Sequence, residues 1–271
     1  MAFSPSEPQR DTCFGCGATT SSPSSRGLIH ARSAFILPEI AEYLRAHTTP
    51  PTPAQEKARD EIHRQDPDAV YHAIGDDQAL LLEILTSVTR TRRALELGTG
   101  SGYATLSLAR GVGEHGQVVT CDIEQKRLDR AAVIWQGAGV AERIVAFCGP
   151  AEALLQEGNT PYGLAFIDAD KEGTLTYVNA LLDGKLTEGG LIVVDNTLYL
   201  GLVLEPGAAT TSATAPIARP DYWKRERDYR AEAAIFREFN RAIKNDPRAK
   251  VLPLPIGDGL TIIQKVSHSI R

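Results

Sequence analysis

The chain has 271 residues, 42% of them hydrophobic, which is enough to bury one substantial core. Its formal charge of -5 argues against a broad basic face for nucleic acid, because such binding depends on Lys and Arg neutralising phosphates. No apolar run approaches the ~20 residues that span a bilayer, and the N-terminus is polar, so a soluble cytoplasmic protein without a membrane partner is expected.

Residues 1–32 are rich in Ser, Pro, Thr and Gly and hold few large apolar side chains. They cannot bury enough surface to offset ordering entropy, so a disordered or loosely attached tail is expected there. The tail carries a lone CxxC, Cys13 and Cys16. Zinc would need two further ligands at suitable spacing, and the nearest candidate, His30, stands alone. The two other cysteines, Cys121 and Cys148, sit in apolar strand-like contexts and read as buried thiols.

From residue 33 onward the pattern suits a single domain that opens with a helical segment over 36–90. Ile40, Ala41, Tyr43, Leu44 and His47 recur at helical spacing after Pro38, which fits a first helical turn. Thr48 to Pro53 breaks that helix, and Ala54 to His63 reads as a second. Gln78 to Val88, with Leu80, Leu81, Leu82, Ile84 and Leu85, reads as a third and largely buried one. Short apolar runs then recur at Ala94–Leu97, Val118–Cys121, Ile144–Phe147, Leu164–Ile167 and Leu191–Val194, separated by helical patterns. Such alternation marks a parallel sheet covered on both faces, which binds ligands beyond the carboxyl ends of its strands. After a helix over Glu232–Lys244, the runs Val251–Ile256 and Leu260–Val266 flank Gly257-Asp258-Gly259. So short a turn permits only an antiparallel hairpin. Residues 201–231 form a long irregular insertion with Tyr222, Trp223 and Tyr229 near its end, of the length usually found in functional loops.

The strand ends carry the chemistry. Glu96 lies within the first run, where a buried carboxylate is costly unless a ligand amino group or a backbone amide relieves it. Gly98-Thr99-Gly100-Ser101-Gly102 follows, a turn whose glycines allow close approach of a ligand. Tyr103 stands where a dinucleotide fingerprint has its third glycine, which weakens a pyrophosphate reading and with it a nicotinamide oxidoreductase. The helix beginning near Tyr103 directs its amide donors at an incoming anion such as a carboxylate. Asp122, about twenty residues on, ends the second run where it can accept hydrogen bonds from ribose hydroxyls. Asp168 ends the fourth run, and Asp195 and Asn196 end the fifth, on strands expected to be neighbours about 4.8 Å apart. Two anionic oxygens and one neutral oxygen favour a hard cation such as Mg²⁺. Lys171, three residues after Asp168, would feel the cation's field, which disfavours its ammonium form and suits it to take a phenol proton.

Taken together, Leu95-Glu96-Leu97-Gly98 through Gly102-Tyr103, Phe166-Ile167-Asp168-Ala169-Asp170-Lys171 and Asp195-Asn196-Thr197-Leu198 resemble the motifs of the cation-dependent O-methyltransferases of the caffeoyl-CoA and catechol type. Gly75-Asp76-Asp77-Gln78 and Pro255 to Thr261 also resemble that family, and the similarity runs from about Ile36 to Val266. The resemblance implies a Rossmann-like α/β fold, with a mostly parallel seven-stranded sheet that ends in an antiparallel hairpin. It also implies methyl transfer from S-adenosylmethionine to one hydroxyl of a vicinal aromatic diol. Asp168, Asp195 and Asn196 would be the Mg²⁺ ligands and Lys171 the base, with Asp168 beside it at the reacting centre. Ile74, Glu96, Gly98, Ser101, Tyr103, Asp122, Gly149, Pro150, Ala151, Asp168 and Asp170 would line the cofactor pocket, and the chain would pair as a homodimer. Ala104 stands where many relatives carry a serine, so Thr105 or backbone amides would serve the methionine carboxylate. A carrier-bound hydroxyl acceptor and a non-catalytic protein that binds the cofactor or its demethylated product stay open as alternatives.

Overall fold

The computed structural model describes residues 36–67, 73–158, 160–204 and 229–266. Cys13, Cys16, His30, Tyr222 and Trp223 lie outside the described residues, as does most of the 201–231 insertion.

Three helices come first: α1 (Pro38–His47), α2 (Pro53–Gln65) and α3 (Asp76–Val88). Proline at the first turn starts α1 and α2, and Thr52 and Gln55 close a reciprocal capping box on α2. The alternating units follow as β1 (Arg93–Leu97), α4 (Tyr103–Gly111), β2 (Gln117–Asp122), α5 (Gln125–Gly137), β3 (Ile144–Cys148), α6 (Ala151–Gln156), β4 (Tyr162–Ile167), α7 (Thr174–Ala180) and β5 (Leu186–Val194). The chain closes with α8 (Tyr229–Lys244), β6 (Ala249–Leu254) and β7 (Leu260–Lys265). The sheet order is β3-β2-β1-β4-β5-β7-β6. Strands β1 to β5 pair in parallel and β7 runs antiparallel to both its neighbours, an arrangement that the short turn at Gly257–Gly259 requires of β6 and β7.

Side-chain alternation along the strands divides the core into two layers. Ala94, Val118, Leu164, Phe166 and Val193 face α2, α3, α4 and α5. Leu95, Leu97, Val119, Ala165, Ile167, Ile192 and Val194 face α6, α7 and α8. Covering both faces explains why these strands read as continuous apolar runs rather than alternating ones.

Three expectations change. Helix α3 is only partly buried: Leu82 is fully enclosed, whereas Ile84 is 47% exposed, because only one side of the helix packs on the sheet layer. Cys148 is exposed, since β3 is the sheet's edge strand and lacks a neighbour on one side. Strand β5 begins five residues before its apolar run. Its pairing with β4 jumps from Tyr162 opposite Leu186 to Leu164 opposite Leu191, and residues 187–190 bulge opposite Gly163. The last residues of the insertion, from Tyr229, already belong to α8.

The glycine turn after β1 is held by its neighbours' backbones. The amides of Gly98 and Thr99 both donate to the Cys121 carbonyl at 3.0 Å, and the Asp168 amide donates to the Leu97 carbonyl at 2.9 Å. Gly98 has φ +96, and a Cβ there would lie 2.2 Å from the Asp168 carbonyl oxygen. Gly100 has φ +53 with nothing within 4 Å of a Cβ. Gly100→Ala should therefore cost only the left-handed conformation, about 1–2 kcal/mol. Gly98→Ala adds a collision with immobile backbone and should lower stability by well over that amount. Urea unfolding of the two variants measures the difference, and equal losses would contradict this packing.

Candidate active site

The ends of β1, β2, β4 and β5 lie side by side, and the residues that follow them build one polar floor. Glu96 is fully buried in β1. Its Oε2 accepts from the hydroxyls of Thr105 on α4 and Thr120 on β2, each at 2.5 Å. Because the Thr120 proton points at Glu96, Thr99 in the turn donates to Thr120 at 2.6 Å. Threonine hydroxyls, not a backbone amide, thus relieve the carboxylate, and Thr105 is committed to Glu96 rather than available to a ligand carboxylate. Oε1 has no hydrogen-bond partner among the described residues. Burial pushes the Glu96 carboxyl up to about 8, more than the two hydroxyls pull it down.

Asp168 follows β4, and Asp195 and Asn196 follow β5, whose ladder continues through the Asp195 amide to the Ile167 carbonyl at 3.0 Å. Lys171, only 8% exposed, donates to Asp168 Oδ1 at 3.0 Å and to Asn196 Oδ1 at 2.7 Å. Asn196 takes φ +61, a left-handed conformation that asparagine tolerates better than most residues. Asp195 Oδ1 accepts from its neighbour's amide, Asn196, at 2.7 Å and from Gln78 Nε2 at 3.0 Å. Burial, and then the Asp168 charge, push the Asp195 carboxyl above the usual range, against the pull of Lys171.

The remaining sequence candidates lie around this floor. Asp122, 6% exposed, accepts from the Gly100 amide at 3.1 Å and the Glu124 amide at 3.0 Å, which fixes both oxygens beside the turn. Gly149 joins the end of β2 through its amide to the Asp122 carbonyl at 3.0 Å, and Pro150 caps α6, which begins at Ala151. Ile74 is buried just ahead of α3. Ser101 receives the Tyr103 amide at 3.4 Å. The Tyr103 ring is buried, and its hydroxyl donates to Asp76 at 2.9 Å and accepts from Arg59 at 2.8 Å, while Arg59 and Asp76 form an ion pair. Tyr103 therefore clamps the turn to α2 and α3 by its side chain. Asp170 accepts from the Gly173 amide at 2.8 Å and the Tyr177 hydroxyl at 2.6 Å, a brace for α7. Tyr199, 5% exposed, packs on Phe236 with ring centroids 5.5 Å apart and donates to Glu232 on α8.

Sequence reasoning did not single out Arg59, Thr120 or Glu232, which act through partners far along the chain. Gln78 appeared only as part of a motif. Its place three residues after the Gly75 cap was the available signal.

The donor set fits the groups the motifs imply. Among the described residues no three His, Cys, Asp or Glu side chains cluster as a metal site. The oxygens on offer are two carboxylates and one amide, which suits a hard cation that keeps positions for water and substrate. Half-buried Asp168 raises the carboxyl of buried Asp195 by its charge, so added positive charge beside the pair is favoured. On the cofactor side, the clear space over Gly100 gives room for a ligand, and the orphaned Glu96 Oε1 is an open polar atom for it to meet.

The chain is similar to known proteins over most of its length. The sequence profile of a family described as O-methyltransferase matches residues 55–266. A caffeoyl-CoA O-methyltransferase of Zinnia elegans is 32% identical over 197 residues, which is 70% of this chain and 74% of the relative. An SAH-bound methyltransferase of Podospora anserina superposes with a TM-score of 0.73 at 26% identity, over 86% of this chain and 99% of that one. An O-methyltransferase of Streptomyces achromogenes involved in tomaymycin synthesis, in complex with SAM, gives a TM-score of 0.65 at 26% identity, over 84% of this chain and 96% of that one. No helix among the described residues is long and apolar enough to cross a membrane.

The raised Glu96 carboxyl has a consequence for stability. Between its unfolded value of about 4.3 and its folded value, the native chain holds a proton that the unfolded chain has lost. The stabilisation is complete below the unfolded value and disappears as pH rises to about 8. Relative to wild type, Glu96→Gln should flatten the fall in unfolding free energy across that window. Parallel pH profiles for the two proteins in urea titrations would contradict a protonated buried Glu96.

Proposed function

The chain belongs to the O-methyltransferase family, and on that premise we propose that it moves a methyl group from S-adenosylmethionine to one hydroxyl of a catechol-like small molecule with the aid of a divalent cation such as Mg²⁺. The observation that carries this reading is the cluster of buried Lys171 and Asp195 with half-buried Asp168 and Asn196, set one strand away from the glycine turn.

S-adenosylmethionine supplies an electrophilic methyl group on a sulfonium. A divalent cation supplies charge that lowers the pKa of a bound phenol and fixes the angle of its oxygen. The chain's own residues do the rest. Glu96, the Gly98–Gly102 turn, Asp122 and the Gly149–Ala151 loop hold the cofactor, with Ile74 at its methionine end. Asp168, Asp195 and Asn196 hold the cation. Lys171 takes the proton of the attacking hydroxyl as the carbon–oxygen bond forms and the carbon–sulfur bond breaks. Holding two reactants in line is itself worth several orders of magnitude in rate, so most of the scaffold serves orientation. A homodimer, which the family resemblance implies, completes the reading.

Transfer of labelled methyl to a panel of catechols should be abolished by EDTA and restored by excess Mg²⁺. Turnover that ignores EDTA would overturn the cation roles of Asp168, Asp195 and Asn196. Lys171→Met should lower kcat by about 10²–10⁴, the usual span for loss of a general base, while SAH binding measured by calorimetry is retained. An unchanged kcat would remove Lys171 from the chemistry.

A further inference from the structure

Gln78 is the third residue of α3, only 4% exposed, and it touches both halves of the site. Its Oε1 accepts from the Gly75 amide at 2.9 Å. A backbone N–H can only donate, so the atom facing Gly75 is the carbonyl oxygen. The amide nitrogen therefore points the other way, at Asp195 Oδ1, 3.0 Å away and 117 residues along the chain. Asp195 Oδ1 already receives the Asn196 amide at 2.7 Å. With both of those donors on one oxygen, Oδ2 is the one turned over to an incoming ligand.

The Gln78 side chain also has no room to swing aside. Gly257, in the turn between β6 and β7, has φ +59, and a Cβ there would stand 2.7 Å from Gln78 Cδ. The same turn binds back to the strand-end motif, since the Gly259 carbonyl accepts from the Thr197 amide at 2.9 Å and the Asp258 carbonyl from the Leu198 amide at 3.2 Å. One planar amide, wedged by a glycine, thus spans the start of α3 next to Ile74 and the carboxylate after β5.

We propose that Gln78 is a positioning residue that selects the cation-binding oxygen of Asp195 and couples cation binding to cofactor binding through the Gly75 turn. The proposal rests on the assignment of Asp195 as a cation ligand. Partners that orient metal ligands typically contribute 10–100-fold in affinity, and coupling between two sites about 5-fold or more.

The test uses the full chain with Mn²⁺ as the metal probe and SAH as the cofactor probe, both followed by calorimetry. Wild type should bind Mn²⁺ more tightly once SAH is present, by about 5-fold or more. Gln78→Leu should weaken Mn²⁺ binding by about 10–100-fold and abolish that mutual tightening. Gln78→Met, unbranched and adaptable, is read in its place if the leucine variant does not give a native circular dichroism spectrum. Unchanged Mn²⁺ affinity and unchanged coupling in a folded variant would overturn the proposal, as would an absence of coupling in wild type. Asp195→Asn, measured alongside, separates the two levels. If it leaves Mn²⁺ binding intact, the cation assignment itself fails; if it weakens Mn²⁺ while the Gln78 variants do not, only the role of Gln78 fails.

Discussion

Everything in the site depends on how closely two strand ends can approach across β1 and β4. The carbonyl of Asp168 occupies the space a side chain at position 98 would need, so the glycine turn and the acidic motif after β4 are in backbone contact. That contact places the glycine turn against Asp168 without any bridging side chain. The neighbouring ladder to β5 then brings Asp195 and Asn196 alongside. A parallel sheet supplies such an array naturally, because all its strand ends of one polarity open on the same edge.

An arrangement of this kind gathers polar groups where the core is driest, and each requires a partner. Glu96 takes two threonine hydroxyls and stays protonated near neutrality; Asp195 takes two N–H donors; Lys171 is shared between a carboxylate and an amide oxygen. Leaving a buried polar group unpaired would cost about 1–3 kcal/mol, so these networks are needed for the fold as well as for the chemistry. The partners are drawn from α3, α4 and β2, which ties the helical layer on one face of the sheet to the motifs at its edge. Arg59, Asp76 and Tyr103 add a second tie from α2 and α3 to the first residue of α4.

The strands, the mostly parallel character of the sheet and its closing hairpin were legible in the sequence because apolar runs, glycine turns and helical periodicity are local signals. That Asp168, Asp195, Asn196 and Lys171 would come together was legible for the same reason, since the first three follow an apolar run and Lys171 lies three residues beyond Asp168. What the sequence hid were relations between distant segments. Nothing near Glu96 announces Thr120, 24 residues away, or that Thr105 would be spent on it. Nothing near Gln78 announces Asp195. The exposure of Cys148 and Ile84 was hidden too, because whether a strand is at an edge, or which flank of a helix lies outside, is decided by the packing of the whole sheet.

The central claim is that one site holds a cation and the cofactor side by side at these strand ends. Proton relaxation of SAH by Mn²⁺ tests it directly, because the paramagnetic ion broadens only nuclei close to it. Mn²⁺ should broaden the methionine-side protons of bound SAH, and Asp168→Ala should abolish the effect while SAH still binds. Sharp SAH resonances in a complex that demonstrably contains both ligands would contradict the claim.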